Sequence, residues 1–132
     1  MREILFRGKT KSGNWVYGGY VGICNGGKIA DLTVIHIIEK CDNELVKTVT
    51  VGQFTGLTDK NGKKIFEDDI IQGTITSAWS KSVIRCEVAY IKDGFYSIEH
   101  KRNKELVTHK LGFARDIEVI GNIHDNPELL KE

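Results

Sequence analysis

The sequence predicts an all-β protein of the small-barrel or sandwich type. β-branched and aromatic residues dominate its apolar runs, and these runs recur about every 8–12 residues. Turn signals rich in glycine, Asn and Asp separate the runs. Because the chain has one proline, Pro127, and fourteen glycines, we expect glycine and Asn/Asp to form most of the turns.

Strand-like runs and turn signals alternate in the first half of the chain. Residues 33–38 are nearly all β-branched, and such stiff side chains fit a pleated sheet better than a helix. We expect turns at residues 12–14, 25–27 and 42–44. The predicted strands are residues 1–7, 15–22, 28–38 and 45–51.

The segment "LTDKNGKKIFEDD" at 57–69 allows two interpretations. Aligned as a calcium-binding EF-hand loop, it places Leu57 at the first ligand position, where an apolar side chain cannot coordinate. Asn61-Gly62 instead predicts a β-hairpin with a type I′ turn, since both residues tolerate positive φ. We favour the hairpin, and we expect the carboxylates at 67–69 to lie on a solvated turn.

In the second half of the chain, predicted strands and turns alternate as well. In residues 83–91, apolar and polar side chains alternate, which predicts a strand with one buried and one wet face. Residues 77–82 form a predicted loop that exposes Trp79. Asn126 as N-cap and Pro127 at the first helical position predict a short C-terminal helix. The predicted strands are residues 69–76, 83–91, 95–100, 106–113 and 117–125.

Composition and motifs exclude several classes of function. A net charge of +1 gives no overall attraction to nucleic acid, and no apolar run approaches the roughly 20 residues that span a membrane. Cys24, Cys41 and Cys86 are odd in number and lack CxxC spacing, which predicts reduced thiols in the cytoplasm. The four scattered histidines have no zinc-ligand spacing, so we expect no cofactor and no metal.

One charge cluster offers a candidate contact with nucleic acid. Phe95 and Tyr96 lie just upstream of it, and a basic hairpin beside aromatic rings can bind phosphates and stack bases. The alternative is a solvated hairpin tip. The basic residues are Lys101, Arg102, Lys104 and Lys110.

Three blocks, at residues 4–20, 48–71 and 118–130, together resemble the YopX family of phage and prophage proteins. Members of this family usually carry Gly-Asp where this chain has Asp68-Asp69, so we expect positive φ at residue 68. The resemblance implies a structural motif rather than a catalytic one. The motif residues are Gly56, Leu57, Asp59, Asn61, Gly62, Asp69, Gly121, Asn122, Asn126 and Pro127.

The resemblance also implies an SH3-like barrel in the C-terminal part. We therefore expect an N-terminal β subdomain over residues 1–55 and the barrel, with its short C-terminal helix, over 56–132. The expected role is that of a cytoplasmic phage or prophage accessory protein that binds a host or phage protein without being an enzyme. Homo-oligomerisation is a further expectation. Nucleic-acid binding is the main alternative, and a metal-dependent or hydrolytic enzyme is the third.

Overall fold

Antiparallel strands make up most of the fold. The computed structural model describes residues 3–23, 32–37, 40–101 and 104–130. Short 3-10 turns at Thr48–Thr50 and Pro127–Leu130 interrupt the strand pattern. The strands are β1 Phe6–Lys9, β2 Trp15–Ile23, β3 Leu32–Ile37, β4 Asp42–Lys47, β5 Gly52–Thr58, β6 Lys64–Phe66, β7 Asp69–Thr76, β8 Lys81–Ile91, β9 Gly94–His100, β10 Leu106–Lys110 and β11 Arg115–Asn122.

The chain divides into two compact units, Met1–Gly56 and Leu57–Glu132. In the first unit the strand order is β4-β3-β2-β1-β5, and neighbouring strands are antiparallel. Ile35 of β3, Val46 of β4 and Phe54 of β5 are buried there. These apolar side chains come from different strands, so they can pack together only when the strands are paired in the sheet.

The second unit is built on a five-stranded antiparallel sheet with the order β10-β9-β8-β7-β11. β6, which pairs with the end of β5, leads into β7. One face of the sheet is covered by an apolar core. This core contains Ile65, Ile71, Cys86, Val88, Leu111 and Val119.

Three turns share one hydrogen-bonding pattern, at residues 10–14, 59–63 and 101–105. In the middle one, the Gly62 N–H donates to the Asp59 carbonyl at 3.0 Å and the Asp59 N–H donates to the Lys63 carbonyl at 2.8 Å. The fourth residue of each turn, Gly13, Gly62 or Lys104, has positive φ. A type I turn followed by a left-handed residue has this geometry and makes a three-residue hairpin loop.

The hairpin expected at 57–69 is therefore present, but its predicted type I′ turn is wrong. That type requires positive φ at both central residues, whereas Gly62 has φ 81° and Asn61 is not in the left-handed region. The expectation for residue 68 is confirmed, because Asp68 has φ 72° in the tight connection from β6 to β7.

Two predictions about the first half need correction. Residues 42–44 were expected to turn, but they begin β4, and the turn falls just before them at Cys41, which has φ 49°. The strand predicted over 45–51 ends at Lys47. There the Thr50 hydroxyl donates to the Lys47 carbonyl at 2.6 Å and closes a 3-10 turn in place of the strand. The expected turn at 25–27 lies outside the described residues.

The C-terminal helix was also predicted wrongly: Pro127–Leu130 is a single 3-10 turn. The Asn126 side chain does not cap this turn; its Oδ1 accepts the N–H of Asn122 behind it. The closure of an SH3-like barrel is not seen either. β10 and β11 stand at opposite ends of the sheet order, and no pairing joins them in the described part of the chain.

Within the described ranges, no helix is long and apolar enough to cross a bilayer.

Candidate interaction surface

Strands β8, β9 and β10 present two different faces. Cys86 and Val88 of β8 and Ser97 of β9 are buried and point toward the core. Since side chains alternate along a strand, their neighbours point the other way. We call that side the open face. It consists of the odd-numbered residues of β8, the even-numbered residues 96–100 of β9 and the even-numbered residues of β10.

The open face combines apolar and basic groups. Val83 and Leu106 expose 64% and 61% of their surface, although both are large apolar residues. The basic side chains of this face, Lys81, Arg85 and Lys110, are exposed as well. Its carboxylate, Glu87, lies 2.8 Å from Nε2 of His100. The face is thus apolar in part, and its lysine and arginine side chains outnumber its carboxylate.

An open pocket of about 330 Å³ lies at one end of the open face, beside the C-terminal 3-10 turn. Leu129 and Leu130 line it from the turn, and the lining residues from the sheet are Gln72, Val83, Ile84, Arg85, Glu99 and His100. The Arg85 guanidinium donates through Nε to Gln72 Oε1 at 3.1 Å and through Nη1 to the Leu129 carbonyl at 3.4 Å. These two bonds fix the guanidinium at the pocket wall.

Trp79 lies in the loop that joins β7 to β8, and 94% of it is exposed. The Ser77 N–H donates to the Ser80 carbonyl at 2.8 Å, and Ser77 Oγ accepts the Ser80 N–H at 3.1 Å. The loop is therefore hydrogen-bonded across its base, and it holds a large aromatic ring in solvent, as predicted. It is shorter than the predicted range 77–82, because Lys81 and Ser82 already belong to β8.

The basic residues that suggested nucleic-acid binding do not form one cluster. Lys101 and Lys104 are exposed at the β9–β10 turn, and Arg102 lies outside the described residues. Lys110 is at the far end of β10, which rises about 3.3 Å per residue. It faces Tyr96 across the strand pair. Of the two predicted aromatic partners, Tyr96 thus lies beside Lys110, at the opposite end of the hairpin from the turn, whereas Phe95 packs against the core.

The carboxylate of the motif residue Asp59 accepts three backbone N–H groups. Its Oδ1 accepts the N–H groups of Asn61 and Lys63, each at 2.9 Å, and its Oδ2 accepts the Val119 N–H at 3.0 Å. Burial raises the pKa of the carboxyl, but the hydrogen bonds from Val119, Lys63 and Asn61, together with the Lys63 charge, lower it below its usual value. A carboxylate that accepts three hydrogen bonds from the backbone has a structural role, because it holds these segments of the chain together.

Other motif residues lie at turns or near strand ends. Gly56 has φ 93°, and Leu57 is exposed near the end of β5. The carboxylates at 67–69 were expected on a solvated turn, which is wrong for Asp69: it is buried, and its Oδ2 accepts the Phe66 N–H at 2.7 Å. Near the C-terminus, Asn122 Oδ1 accepts the N–H groups of His124 and Asp125. A methyl group on Gly121 would lie 2.5 Å from Asn126 Oδ1, so glycine is needed there. Pro127 opens the 3-10 turn.

Histidines and carboxylates form further pairs in the second unit. His109 Nε2 lies 3.1 Å from Glu99 Oε1, and His124 Nε2 lies 3.0 Å from Asp68 Oδ2. Over the described ranges, no three His, Cys, Asp or Glu side chains converge as metal ligands would. Burial raises the pKa of Cys86 to about 12, and the Glu99 charge adds to this rise. The Cys86 thiol is therefore protonated at neutral pH, unlike an activated nucleophile.

The pocket residues Arg85, His100, Leu129 and Leu130 were not singled out from the sequence. They come from two strands and a distant turn, so no local motif marks them. The alternation along 83–91 does indicate that Arg85 and Glu87 lie on the wet face. The position of Leu129 and Leu130 beside that face depends on tertiary structure alone.

The similarity of this chain to known proteins extends over nearly its whole length. The family model described as "YopX protein" matches residues 5–131. The crystal structure of protein EF1440 from Enterococcus faecalis is similar over 99% of this chain and 100% of that chain, with a TM-score of 0.56 and 26% sequence identity. The search of curated proteins gives no match.

Proposed function

This chain belongs to the YopX family, and we propose that it is a non-enzymatic phage or prophage accessory protein that binds another protein in the host cytoplasm. The observation that carries the proposal is the open face, where Val83 and Leu106 are more than half exposed beside basic side chains. Exposed apolar groups within a polar rim are typical of protein-binding surfaces.

The chemistry of the open face favours one kind of partner. Lys81, Arg85 and Lys110 outnumber Glu87, which His100 already contacts. An acidic segment that also carries apolar side chains complements these groups, because opposite charge speeds the encounter and apolar contact supplies affinity. Trp79 extends the surface at the β7–β8 loop, and exposed Trp is enriched at the energetic centres of interfaces.

Edge pairing supports the same proposal. In the described part of the sheet, β10 is a terminal strand, whereas Lys60 donates its N–H to the Ile117 carbonyl and thereby covers part of the edge of β11. An extended segment of a partner can add to such an uncovered edge through main-chain hydrogen bonds. The same edge suits a second copy of this chain, which makes homo-oligomerisation a testable version of the proposal.

The experiment is affinity capture of the tagged protein from prophage-induced cells, with identification of both protein and nucleic acid. Val83→Lys combined with Leu106→Lys is expected to lose the captured protein. Val49→Lys is the control, because Val49 is also an exposed apolar residue, with 76% of its surface accessible, but lies in the first unit. Equal capture by both variants would refute binding through the open face. Sedimentation of the purified protein tests the second copy as partner.

Nucleic-acid binding remains the second candidate, supported by the exposed Lys101 and Lys104 at one turn. It requires retention of labelled DNA or RNA that weakens steeply with salt. Replacing Lys101 and Lys104 by Ala should then weaken binding, while Lys110→Ala, at the other end of β10, should have less effect. No retention at low salt would eliminate this candidate.

A further inference from the structure

The pocket at the end of the open face contains a cationic group that no carboxylate of the described chain neutralises. Arg85 donates to the side-chain oxygen of Gln72 and to the Leu129 carbonyl, and both acceptors are neutral. The remaining guanidinium donors are left for an external acceptor. Glu99 also lines the pocket, but its carboxylate lies 3.1 Å from His109 Nε2, and Glu87 of the open face lies 2.8 Å from His100 Nε2.

Apolar side chains form a second part of the pocket lining. Leu129 and Leu130 are half-buried on the C-terminal 3-10 turn, and Val83 contributes an exposed apolar surface from β8. The volume of about 330 Å³ is enough for one large side chain. A group that fits must therefore bring negative charge to Arg85 and apolar surface to the two leucines.

We infer that this pocket binds a carboxylate adjacent to an apolar side chain of the partner, with Arg85 as the specificity-determining residue. This inference rests on the proposed function, because the pocket lies at the end of the same open face. Nη2 of Arg85 would donate a charge-assisted hydrogen bond to the carboxylate oxygen, and such a bond is stronger than one between neutral groups. The apolar side chain of the partner would lie against Leu129 and Leu130.

The first test uses a small probe and needs no identified partner. Phenylacetate is titrated into isotopically labelled protein, and the NMR resonances of Arg85 Nε–H and of the Leu129 and Leu130 amides are followed. We expect saturable shifts, and binding about tenfold weaker for the neutral phenylacetamide. Equal binding of acid and amide would overturn the inference.

Variants separate charge from pocket shape. Arg85→Gln should abolish the preference for phenylacetate, and Arg85→Lys, which keeps the charge, should retain part of it. Arg115→Gln is the matched control, because Arg115 is an exposed arginine of the same sheet that lines a different pocket, with Thr74 and Phe113. Thermal unfolding of each variant establishes that it is folded. A preference that survives Arg85→Gln would also overturn the inference.

The second test uses the captured partner, and it distinguishes failure of the inference from failure of the proposed function. Arg85→Gln should weaken partner binding about tenfold, whereas Arg115→Gln should leave it unchanged. If capture depends on Val83 and Leu106 but not on Arg85, the proposed function stands and the inference is wrong. If phenylacetate binds as expected but no partner depends on the open face, the pocket chemistry stands and the proposed function fails.

Discussion

Asp59 accepts the backbone N–H of Val119 at 3.0 Å, a bond that joins residues sixty positions apart in the chain. The same carboxylate closes its own turn through Asn61 and Lys63, so one side chain organises a hairpin and attaches it to β11. The attachment lies beside an irregular stretch of β11, where the pairing with β7 shifts register between Val119 and Gly121.

Removing this carboxylate should destabilise the protein. Asp59→Ala leaves three backbone N–H groups without their acceptor, and we expect the free energy of unfolding to fall by about 2–4 kcal/mol. Urea unfolding followed by circular dichroism measures this loss. Asp93→Ala is the control, since Asp93 is exposed and accepts one hydrogen bond, from the Tyr96 hydroxyl. A midpoint for Asp59→Ala equal to that of Asp93→Ala would contradict the structural role.

The same residue should make stability depend on acid pH. The pKa of Asp59 in the folded protein lies below its ordinary value of 3.8. A carboxyl group with a depressed pKa contributes stability above its unfolded pKa and loses this contribution as pH falls through the folded pKa. The gap in stability between wild type and Asp59→Asn should therefore close on going from neutral pH to about pH 2. A gap that stays constant over this range would show that the charged form is not preferred.

Cys86 should react with thiol reagents only when the protein opens. Burial and the Glu99 charge raise the pKa of its thiol from 9.0 to about 12. In a Cys24→Ser/Cys41→Ser variant, labelling by a chromogenic disulfide reagent should be slow at neutral pH and accelerate with urea in parallel with unfolding. Fast labelling without denaturant would place the thiol at the surface.

The raised pKa of Cys86 should also lower the stability of the protein at alkaline pH. A raised pKa keeps the folded thiol protonated while the unfolded thiol ionises, so stability should fall as pH rises from 9.0 towards 12. Cys86→Ala, measured in the same background, should remove this part of the alkaline loss. An identical alkaline profile for both proteins would rule out the contribution of Cys86.

Lys104 occupies the left-handed position of its turn, with φ 67°, where the two similar turns have Gly13 and Gly62. Lys104→Gly should stabilise the protein by about 0.5–1 kcal/mol, because the cost of a side chain at positive φ exceeds the added freedom of glycine in the unfolded chain. Lys101→Gly, outside the left-handed region, should instead be destabilising. Thermal unfolding compares the two, and the opposite order would contradict the turn assignment.

Asp68→Gly should behave differently from Lys104→Gly, although it removes the same kind of strain at φ 72°. Asp68 also holds His124 through a 3.0 Å contact, and glycine loses it. We expect no net gain in the melting temperature. A gain as large as that of Lys104→Gly would mean that the contact with His124 contributes nothing to stability.

The effect of a substitution at Gly121 on stability should depend on the side chain at Asn126. A methyl group on Gly121 would lie 2.5 Å from Asn126 Oδ1, so Gly121→Ala should cost about 1–3 kcal/mol through displacement of that amide. In an Asn126→Gly background the space is free, and the same change should cost much less. A double-mutant cycle measures the coupling. Strictly additive effects would show that the two groups do not meet.

The sequence alone predicts those features that depend on neighbouring residues. β-branched runs indicate strands, and glycine and Asn/Asp mark the turns, so the all-β class and the hairpin at Asn61-Gly62 follow from local chemistry. The Asp59–Val119 bond joins distant segments, and no local pattern points to it. The prediction of a C-terminal helix was wrong because the Asn126 side chain can accept a hydrogen bond from a residue before it or after it. The tertiary structure selects the bond from the N–H of Asn122.

The sequence predicts some features of the candidate site, and others depend on the tertiary fold. Exposure of Trp79 follows from its polar loop, and Arg85 and Glu87 are on the wet face by alternation. The basic residues 101–110 fall on both ends of a hairpin, so closeness in sequence did not mean closeness in space. Leu129 and Leu130 complete the pocket from a turn some forty residues beyond Arg85. Only the tertiary fold brings them beside it.

The position of β11 in the sheet has a consequence for synthesis on the ribosome. In the folded protein β7 pairs with β8 on one side and with β11 on the other, so its second edge has no partner strand to pair with until residues 115–122 have been translated. During that interval the nascent chain presents an unpaired edge of the strand that carries Ile70 and Ile71, and such edges recruit strands of neighbouring chains. Slow translation between residues 76 and 115 should therefore increase aggregation of this protein.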